Sequence, residues 1–132
     1  MAKRKTAAKK KTGMNYVDGF VIPLPKKKIP AYRRISRKAG EVWCELGALQ
    51  YIECVGDELN IKMGMPFPKL AKLKPGETLV FSWIVYRSKA QRNSINAKVM
   101  KDPRLAKMMT PEAMPFDMKR MAYGGFEVAV EG

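Results

Sequence analysis

Asp18 is the residue of this sequence best suited to acid–base chemistry, because its carboxyl group interrupts an otherwise apolar run at residues 16–24. Removal from water disfavours the charged form of a carboxyl group, and a group so placed can exchange a proton with a substrate. Tyr123, on the last predicted strand, is the second catalytic candidate. Three further polar side chains are placed to converge with these two: Glu53, Ser82 and Arg120. Of these, Arg120 would supply the positive charge that balances Asp18.

The same side chains also predict a pocket for a small molecule. With one tryptophan added, the ligand-binding candidates are Asp18, Glu53, Ser82, Trp83, Arg120 and Tyr123. If they lie on the open face of a sheet, the pocket falls inside a dimer. The structural alternative is a buried ion pair with surrounding hydroxyl groups that fixes the register of that dimer. Alternation along the strands does not decide which face Asp18 and Glu53 occupy.

The composition excludes most metal and nucleophile chemistry. The 132 residues include no histidine, which removes the Ser-His-Asp triad, the Cys-His dyad and most catalytic zinc sites. Cys44 and Cys54 lack CxxC spacing and are predicted to be buried free thiols. The 10 methionines fit adaptable packing better than a copper(I) site. We therefore predict no metal and no cofactor.

The chain carries a formal charge of +14, from 26 lysines and arginines against 12 acidic residues. Most of this excess of positive charge lies before residue 39. Residues 1–13 have no apolar periodicity, so they are predicted to form a disordered basic arm. Six residues of the arm are the nucleic-acid-binding candidates: Lys3, Arg4, Lys5, Lys9, Lys10 and Lys11. Without an RNP pattern, zinc finger or helix-turn-helix signature, such binding would be weak, nonspecific and salt-sensitive, and the alternative is a solubilising tail.

Residues 14–132 are predicted to form a single α+β domain. Alternating apolar residues predict strands at 16–24, 49–55, 78–86 and 119–130. One helix is predicted at 26–46, beginning near Lys27 because Pro30 is tolerated only in the first turn. A second helix begins after Ser88, which forms a capping box with Gln91, and it is interrupted at Asp102. Residues 60–77 are predicted to be a loop that holds at most a short helical turn.

The order βαββαβ is that of the ferredoxin-like fold, in which a four-stranded antiparallel sheet carries two helices on one face. Both sheet faces look apolar, and two helices cover only one of them. We therefore predict a homodimer that packs sheet on sheet. The alternative is that the 60–77 loop folds across the open face.

Four aromatic residues are predicted to be core rather than a stacking site for a planar ligand: Trp43, Trp83, Tyr86 and Phe126.

Short motifs stand in a fixed order along the chain. They are NYVDGFV at 15–21, FSW at 81–83 with SKA at 88–90, NAKVM at 96–100 with DPR at 102–104, MPFD at 114–117, KRM at 119–121 and YGGFE at 123–127. Together they resemble the YbaA-like family of small bacterial proteins, a domain of unknown function, over about residues 14–130. The resemblance implies the dimeric α/β-barrel superfamily, and it brings no reaction, cofactor or catalytic residue. The basic arm and the lysine-rich segment 60–74 depart from the family pattern.

The function predicted on these grounds is binding of a small molecule in a sheet-side pocket by a cytoplasmic homodimer. Two free cysteines and the lack of a signal-peptide pattern favour a reducing cytosol, and no apolar run is long enough to cross a membrane. One alternative is a cofactor-independent oxygenase or isomerase of the dimeric α/β-barrel kind. The other alternative is weak, nonspecific nucleic-acid binding through the arm.

Overall fold

The computed structural model describes residues 13–132, so the predicted arm and its six candidate residues lie outside the described residues, apart from Gly13. The bounds of the helices and strands are β1 Tyr16–Pro25, α1 Ile29–Glu45, β2 Gln50–Val55, α2 Phe67–Ala71, β3 Glu77–Tyr86, α3 Lys89–Met100, α4 Pro103–Ala106 and β4 Ala122–Glu127. Two 3-10 turns, Lys26–Lys28 and Met118–Arg120, precede α1 and β4. The predicted α+β class is confirmed.

The four strands form one antiparallel sheet in the order β2-β3-β1-β4. Successive side chains of a strand point to opposite faces, so the register defines two faces. The inner face carries the even-numbered residues of β1 and their partners, for example Asp18 opposite Ile84. The outer face carries the odd-numbered residues of β1 and their partners, for example Gly19 opposite Trp83.

The core lies on the inner face. One buried cluster joins that face to α1 and α3: Tyr16, Ala39, Val42, Trp43, Ile84, Tyr86, Ile95 and Val99. A second cluster joins it to the start of α1 and to the segment before β4: Ile22, Leu24, Tyr32, Val80 and Phe116. Trp43 and Tyr86 are therefore core residues, as predicted.

α1 is amphipathic because its buried residues recur every three or four positions. Tyr32, Ser36, Ala39 and Trp43 are buried, whereas the arginines between them are exposed. The helix begins at Ile29, slightly later than predicted, because the three lysines before it form a 3-10 turn. The spacing of apolar residues therefore predicted the buried side of α1 correctly, although it did not predict the first turn.

α3 begins with the predicted cap. The Ser88 hydroxyl accepts a hydrogen bond from the Gln91 amide at 3.0 Å, and Gln91 Oε1 accepts one from the Arg87 amide at 2.6 Å. The first bond satisfies a backbone donor that a helix start leaves unpaired. The second bond reaches Arg87, the residue before the cap, and not the Ser88 amide as in the predicted capping box. Among residues 13–132, no helix is both long enough and apolar enough to cross a membrane.

β4 is shorter than the predicted strand 119–130, so that prediction is wrong at both ends. Before β4, the Asp117 carboxylate accepts a hydrogen bond from the Lys119 amide at 2.9 Å and so caps a 3-10 turn instead of a strand. After β4, pairing ends with Glu127 opposite Tyr16, where β1 itself begins. The register runs unbroken through Gly124, so β4 contains no bulge in this stretch.

The segment between β2 and β3 is a loop with one short helix, α2, as predicted. It leaves the aromatic part of the outer face uncovered, because Phe81 and Phe126 are 48% and 59% exposed. The alternative in which this loop covers the open face is therefore wrong for the aromatic part of that face, whereas Leu79, on the same face, is buried. The loop also exposes apolar side chains of its own, among them Met63 and Leu70.

Candidate ligand-binding cavity

A cavity of ≈ 280 Å³ lies between the inner face of the sheet and the helices α1 and α3. The segment before β4 closes it with apolar side chains, including Met114, Phe116 and Met121. Its volume is near the lower end of the ~300–1,000 Å³ typical of small-molecule sites. Because an engineered apolar cavity of ~150 Å³ takes up benzene, the space is sufficient for a small organic molecule.

Four predicted site residues line this cavity from the inner face: Asp18, Glu53, Ser82 and Tyr123. Ser82 pairs in register with Glu53 on one side and with Phe20 on the other. Tyr123 stacks on Phe20, with ring centroids 4.9 Å apart. Their face is the one that α1 and α3 cover, so a site on the open face inside a dimer is wrong. Asp18 lies on the same face of the sheet as Tyr16. Because Tyr16 is buried in one cluster with residues of α1 and α3, this face is the one directed towards the helices.

Asp18 is 1% exposed and is paired with Arg92 of α3, whose Nε lies 3.0 Å from Oδ1. Arg92 Nη2 also donates to the Tyr16 hydroxyl at 3.3 Å, and the guanidinium carbon lies 5.0 Å from the centroid of that ring. A buried carboxylate requires such a partner, because an unpaired buried charge is costly. The sequence analysis missed Arg92, although it lies on the same side of α3 as the buried Ile95 and Val99.

Gly125 provides the space for this ion pair. A Cβ at this position would collide with the Tyr16 hydroxyl and with Arg92 Nη2. The adjacent Gly124 has only ordinary contacts, the nearest being Phe126 at 3.7 Å. Gly125 therefore allows the close approach of Tyr16 and Arg92 to the backbone of β4.

Two phenols near Asp18 keep their protons at neutral pH. Burial, followed by the negative charge of Asp18, raises the pKa of Tyr86 and of Tyr123 above the usual value. The indole Nε1 of Trp43 donates to the Tyr86 hydroxyl and to Asn96 Oδ1, both at 3.2 Å. Tyr123 is therefore suited to donate a hydrogen bond to a ligand and not to remove a proton from one.

Arg120 does not line the cavity, and it is not the partner predicted for Asp18. Its Nη1 donates to Glu77 Oε2 at 2.7 Å and its Nη2 donates to Oε1 at 3.0 Å. Arg120 was expected on the last strand, but it belongs to the 3-10 turn Met118–Arg120 that precedes β4. Hydrogen bonds from Arg120 lower the pKa of Glu77 below its ordinary value.

The Glu77–Arg120 pair makes stability depend on pH. Since the pKa of Glu77 is lowered by folding, the stabilisation is fully present above the ordinary value of 4.5 and is lost as pH falls through the lower folded value. We expect Arg120→Met to reduce the free energy of unfolding at neutral pH and to flatten its decline between about pH 5 and pH 3. Urea unfolding across this range measures both effects. Lys119→Met removes the same charge from the same turn, and an equally flattened decline in that variant would contradict the assignment.

Glu53 is held by two phenol hydroxyls that the sequence analysis did not identify. Tyr32 donates to Oε1 at 2.7 Å and Tyr51 donates to Oε2 at 2.9 Å. Burial, followed by the charge of Glu53, raises the pKa of both tyrosines, so both remain protonated donors. None of the ion pairs formed within residues 13–132 includes Glu53. The available signals were that Tyr32 is on the apolar stripe of α1 and that Tyr51 is two residues from Glu53.

Trp83 borders the cavity from β3, but its position in the register places the indole on the outer face. There its Nε1 donates to Gln50 Oε1 at 2.9 Å, and its ring centroid lies 5.6 Å from that of Phe81. Phe126, on the same face, is mostly exposed, and Trp83 is half-buried. The predicted core assignment is therefore wrong for Phe126 and holds only in part for Trp83.

The two cysteines are free thiols. Cys44 is exposed and Cys54 is half-buried, so the prediction that both are buried is wrong. Cys44 lies near the end of α1, where it lines a groove between α1 and β2 and its side chain reaches solvent. Within the part of the chain that the structure describes, no group of three or more histidine, cysteine, aspartate or glutamate residues is placed to hold a metal ion.

The chain is similar in sequence to a family of unknown function. Residues 15–118 match the sequence profile of the family described as "Protein of unknown function (DUF1428)". The chain is 43% identical over 118 residues to the uncharacterized protein YbaA of Escherichia coli K12, with 89% of this chain and 99% of that protein covered. The same values hold for YbaA of Shigella flexneri.

Two solved structures are similar in fold. One is a NIPSNAP family protein with unknown function from Agrobacterium tumefaciens, with a TM-score of 0.54, 16% identity, and 89% of this chain and 90% of that chain covered. The other is an uncharacterized NIPSNAP domain protein from Burkholderia xenovorans, with a TM-score of 0.50, 14% identity, and 86% of this chain and 94% of that chain covered. At these identities the similarity concerns the fold alone.

Proposed function

The chain belongs to the DUF1428 family of unknown function and is similar to YbaA, as its motifs predicted, and on this premise we propose that it is a homodimer that binds a small organic molecule. The ligand lies in the cavity between the sheet and the helices of each subunit. The observation that carries the proposal is a half-open, mostly apolar cavity with a few convergent polar groups. This combination is typical of ligand sites, because apolar walls supply affinity and sparse polar groups supply orientation.

Binding is favoured over acid–base catalysis by the state of Asp18. Its carboxylate is engaged by Arg92 and is nearly inaccessible to solvent. A general base must reach the proton that it removes, within a hydrogen-bond distance or through one water. Engagement with Arg92 therefore argues against Asp18 in this role, and with it against the cofactor-independent oxygenase or isomerase alternative.

The homodimer is proposed on the basis of the outer face. That face combines the exposed Phe81 and Phe126 with the half-buried Trp83, and no loop within residues 13–132 covers them. Contiguous exposed apolar surface usually marks an interaction site. If a second copy of the chain packed its outer face against that of the first copy, the aromatic side chains of both outer faces would be buried in a symmetric contact. The strand order β2-β3-β1-β4 and the similarity to the NIPSNAP structures support a ferredoxin-like topology and a dimeric α/β barrel.

Two predictions from the sequence are kept as proposals. The free thiols Cys44 and Cys54 support a cytoplasmic location, since reducing compartments keep thiols unpaired. Nonspecific nucleic-acid binding rests on basic residues that lie outside the described residues. A binding titration at low and moderate salt, with the full chain and with a chain that begins at Met14, tests it: equal affinity of the two chains would contradict a role for the arm.

The substitution Ala39→Leu tests the cavity as a binding site. Ala39 is 4% exposed and lines the cavity. A larger side chain there should fill empty space, so we expect the free energy of unfolding to stay within about 1 kcal/mol of wild type, whereas a tightly packed core would lose ~1–3 kcal/mol. We further expect the rise in melting temperature caused by a small apolar ligand such as indole to disappear. Ala90→Leu, on the exposed start of α3, is the matched control. An undiminished indole effect in Ala39→Leu would contradict the proposal.

A further inference from the structure

A second, more open groove of ≈ 510 Å³ lies between α1 and β2, at the edge of the sheet. Its walls and those of the inner cavity share four polar residues: Tyr32, Ser36, Tyr51 and Glu53. These four residues therefore stand at the boundary between an apolar chamber and a solvent-exposed groove.

The Glu53 carboxylate at this boundary is incompletely paired. An ionised carboxylate has about four lone-pair sites for hydrogen bonds. Tyr32 and Tyr51 each occupy one, and no cation of the described residues forms an ion pair with Glu53. A half-buried carboxylate without a cationic partner loses hydration that neutral phenols replace only in part. The site therefore has room for a positively charged donor.

The aromatic rings around Glu53 also favour a cation. Tyr51 packs against Trp43, with ring centroids 6.1 Å apart, and Tyr32 packs against Phe116, with centroids 5.9 Å apart. All four aromatic residues line the inner cavity. The faces of such rings attract an ammonium group, and the attraction grows as water is excluded. Apolar packing and cation recognition are thus combined in one small region.

We propose that Glu53 anchors the ammonium group of an apolar amine whose hydrocarbon part occupies the inner cavity. This inference rests on the proposed function and specifies its ligand class. The ammonium donates to the free lone pairs of Glu53, while Tyr32 and Tyr51 hold the carboxylate in place. Arg33 and Arg37 line the outer groove and are exposed to solvent, which screens their charges. If those arginines were the dominant recognition element, the site would instead select a carboxylate.

Three probes of similar size test the proposal: 2-phenylethylamine, 2-phenylethanol and phenylacetate, which carry a positive, a neutral and a negative head group. Isothermal titration calorimetry at neutral pH measures their affinities for the wild-type protein. We expect the amine to bind at least about tenfold more tightly than the alcohol, as a charge-assisted hydrogen bond implies. Glu53→Gln should abolish this preference, whereas Glu127→Gln, which removes an exposed carboxylate from β4, should preserve it.

The possible outcomes separate the two proposals. If the alcohol or phenylacetate binds as tightly as the amine, the inference about Glu53 is overturned and the proposed ligand-binding function stands. If none of the three probes binds, the proposed function is overturned together with the inference. Should Glu53→Gln fail to fold, Glu53→Met serves as the second variant, because it keeps a side chain of similar length, removes the charge and should likewise abolish the preference for the amine. Retention of the preference in Glu53→Met would contradict the proposal.

Discussion

Replacing Arg92 by methionine is expected to lower the free energy of unfolding by about 3–5 kcal/mol at neutral pH. The substitution leaves the Asp18 carboxylate, which is 1% exposed, without its ion-pair partner. Methionine retains much of the apolar stem of arginine, so the loss reports mainly on the uncompensated charge. Urea or guanidinium unfolding, followed by circular dichroism, measures the change.

Two further variants identify the cause. The double variant Asp18→Asn/Arg92→Met removes the buried charge as well, so it should recover a substantial part of the stability lost in Arg92→Met. Arg104→Met breaks an exposed ion pair with Glu45 and should have a clearly smaller effect. A double variant as unstable as Arg92→Met would contradict the view that Arg92 neutralises Asp18.

The substitution Phe126→Lys is expected to convert the proposed homodimer into a folded monomer. Phe126 is 59% exposed on the outer face of one chain, so the substitution costs the isolated subunit little. In the proposed dimer the same position would be buried, and burying an unpaired ammonium costs several kcal/mol per ion. The dissociation constant should therefore rise by about a hundredfold or more. Sedimentation equilibrium over a range of protein concentrations measures this change.

The control for this experiment is Ala90→Lys, which adds the same charge on the exposed start of α3. We expect this variant to remain a dimer. A wild-type protein that sediments as a monomer at every concentration would contradict the proposed role of the outer face, and the exposed Phe81 and Phe126 would then require another partner.

The alternation of residues along β1 and β3 indicated that both faces of the sheet are apolar, and the structure places Ile84 on the inner face and Phe81 on the outer face. The alternation could not predict which face the helices cover, because both faces are apolar and each carries aromatic residues. The contact that buries Asp18 joins it to Arg92, 74 positions further along the chain. Long-range pairs of this kind leave no local pattern beyond the position of Arg92 on the buried side of α3.

The remaining errors also have physical causes. Arg120 was expected on a strand, but the Asp117 side chain caps a 3-10 turn and redirects the chain before β4 begins. Glu53 was identified as a candidate, whereas its partner Tyr32 lies 21 positions away on α1 and was not among the candidates. A phenol at the boundary of a core serves both roles, since its ring packs while its hydroxyl forms a hydrogen bond.

The central claim, that the inner cavity takes up a small molecule, is tested most directly by methyl NMR of methionine-labelled protein during titration with indole. Five methionines line the cavity, namely Met100, Met109, Met114, Met118 and Met121, whereas Met63 and Met65 lie in the exposed loop before α2. The account predicts saturable shifts of the five cavity methyl resonances and unchanged loop resonances. Unchanged cavity resonances, or shifts of equal size in the loop, would contradict it.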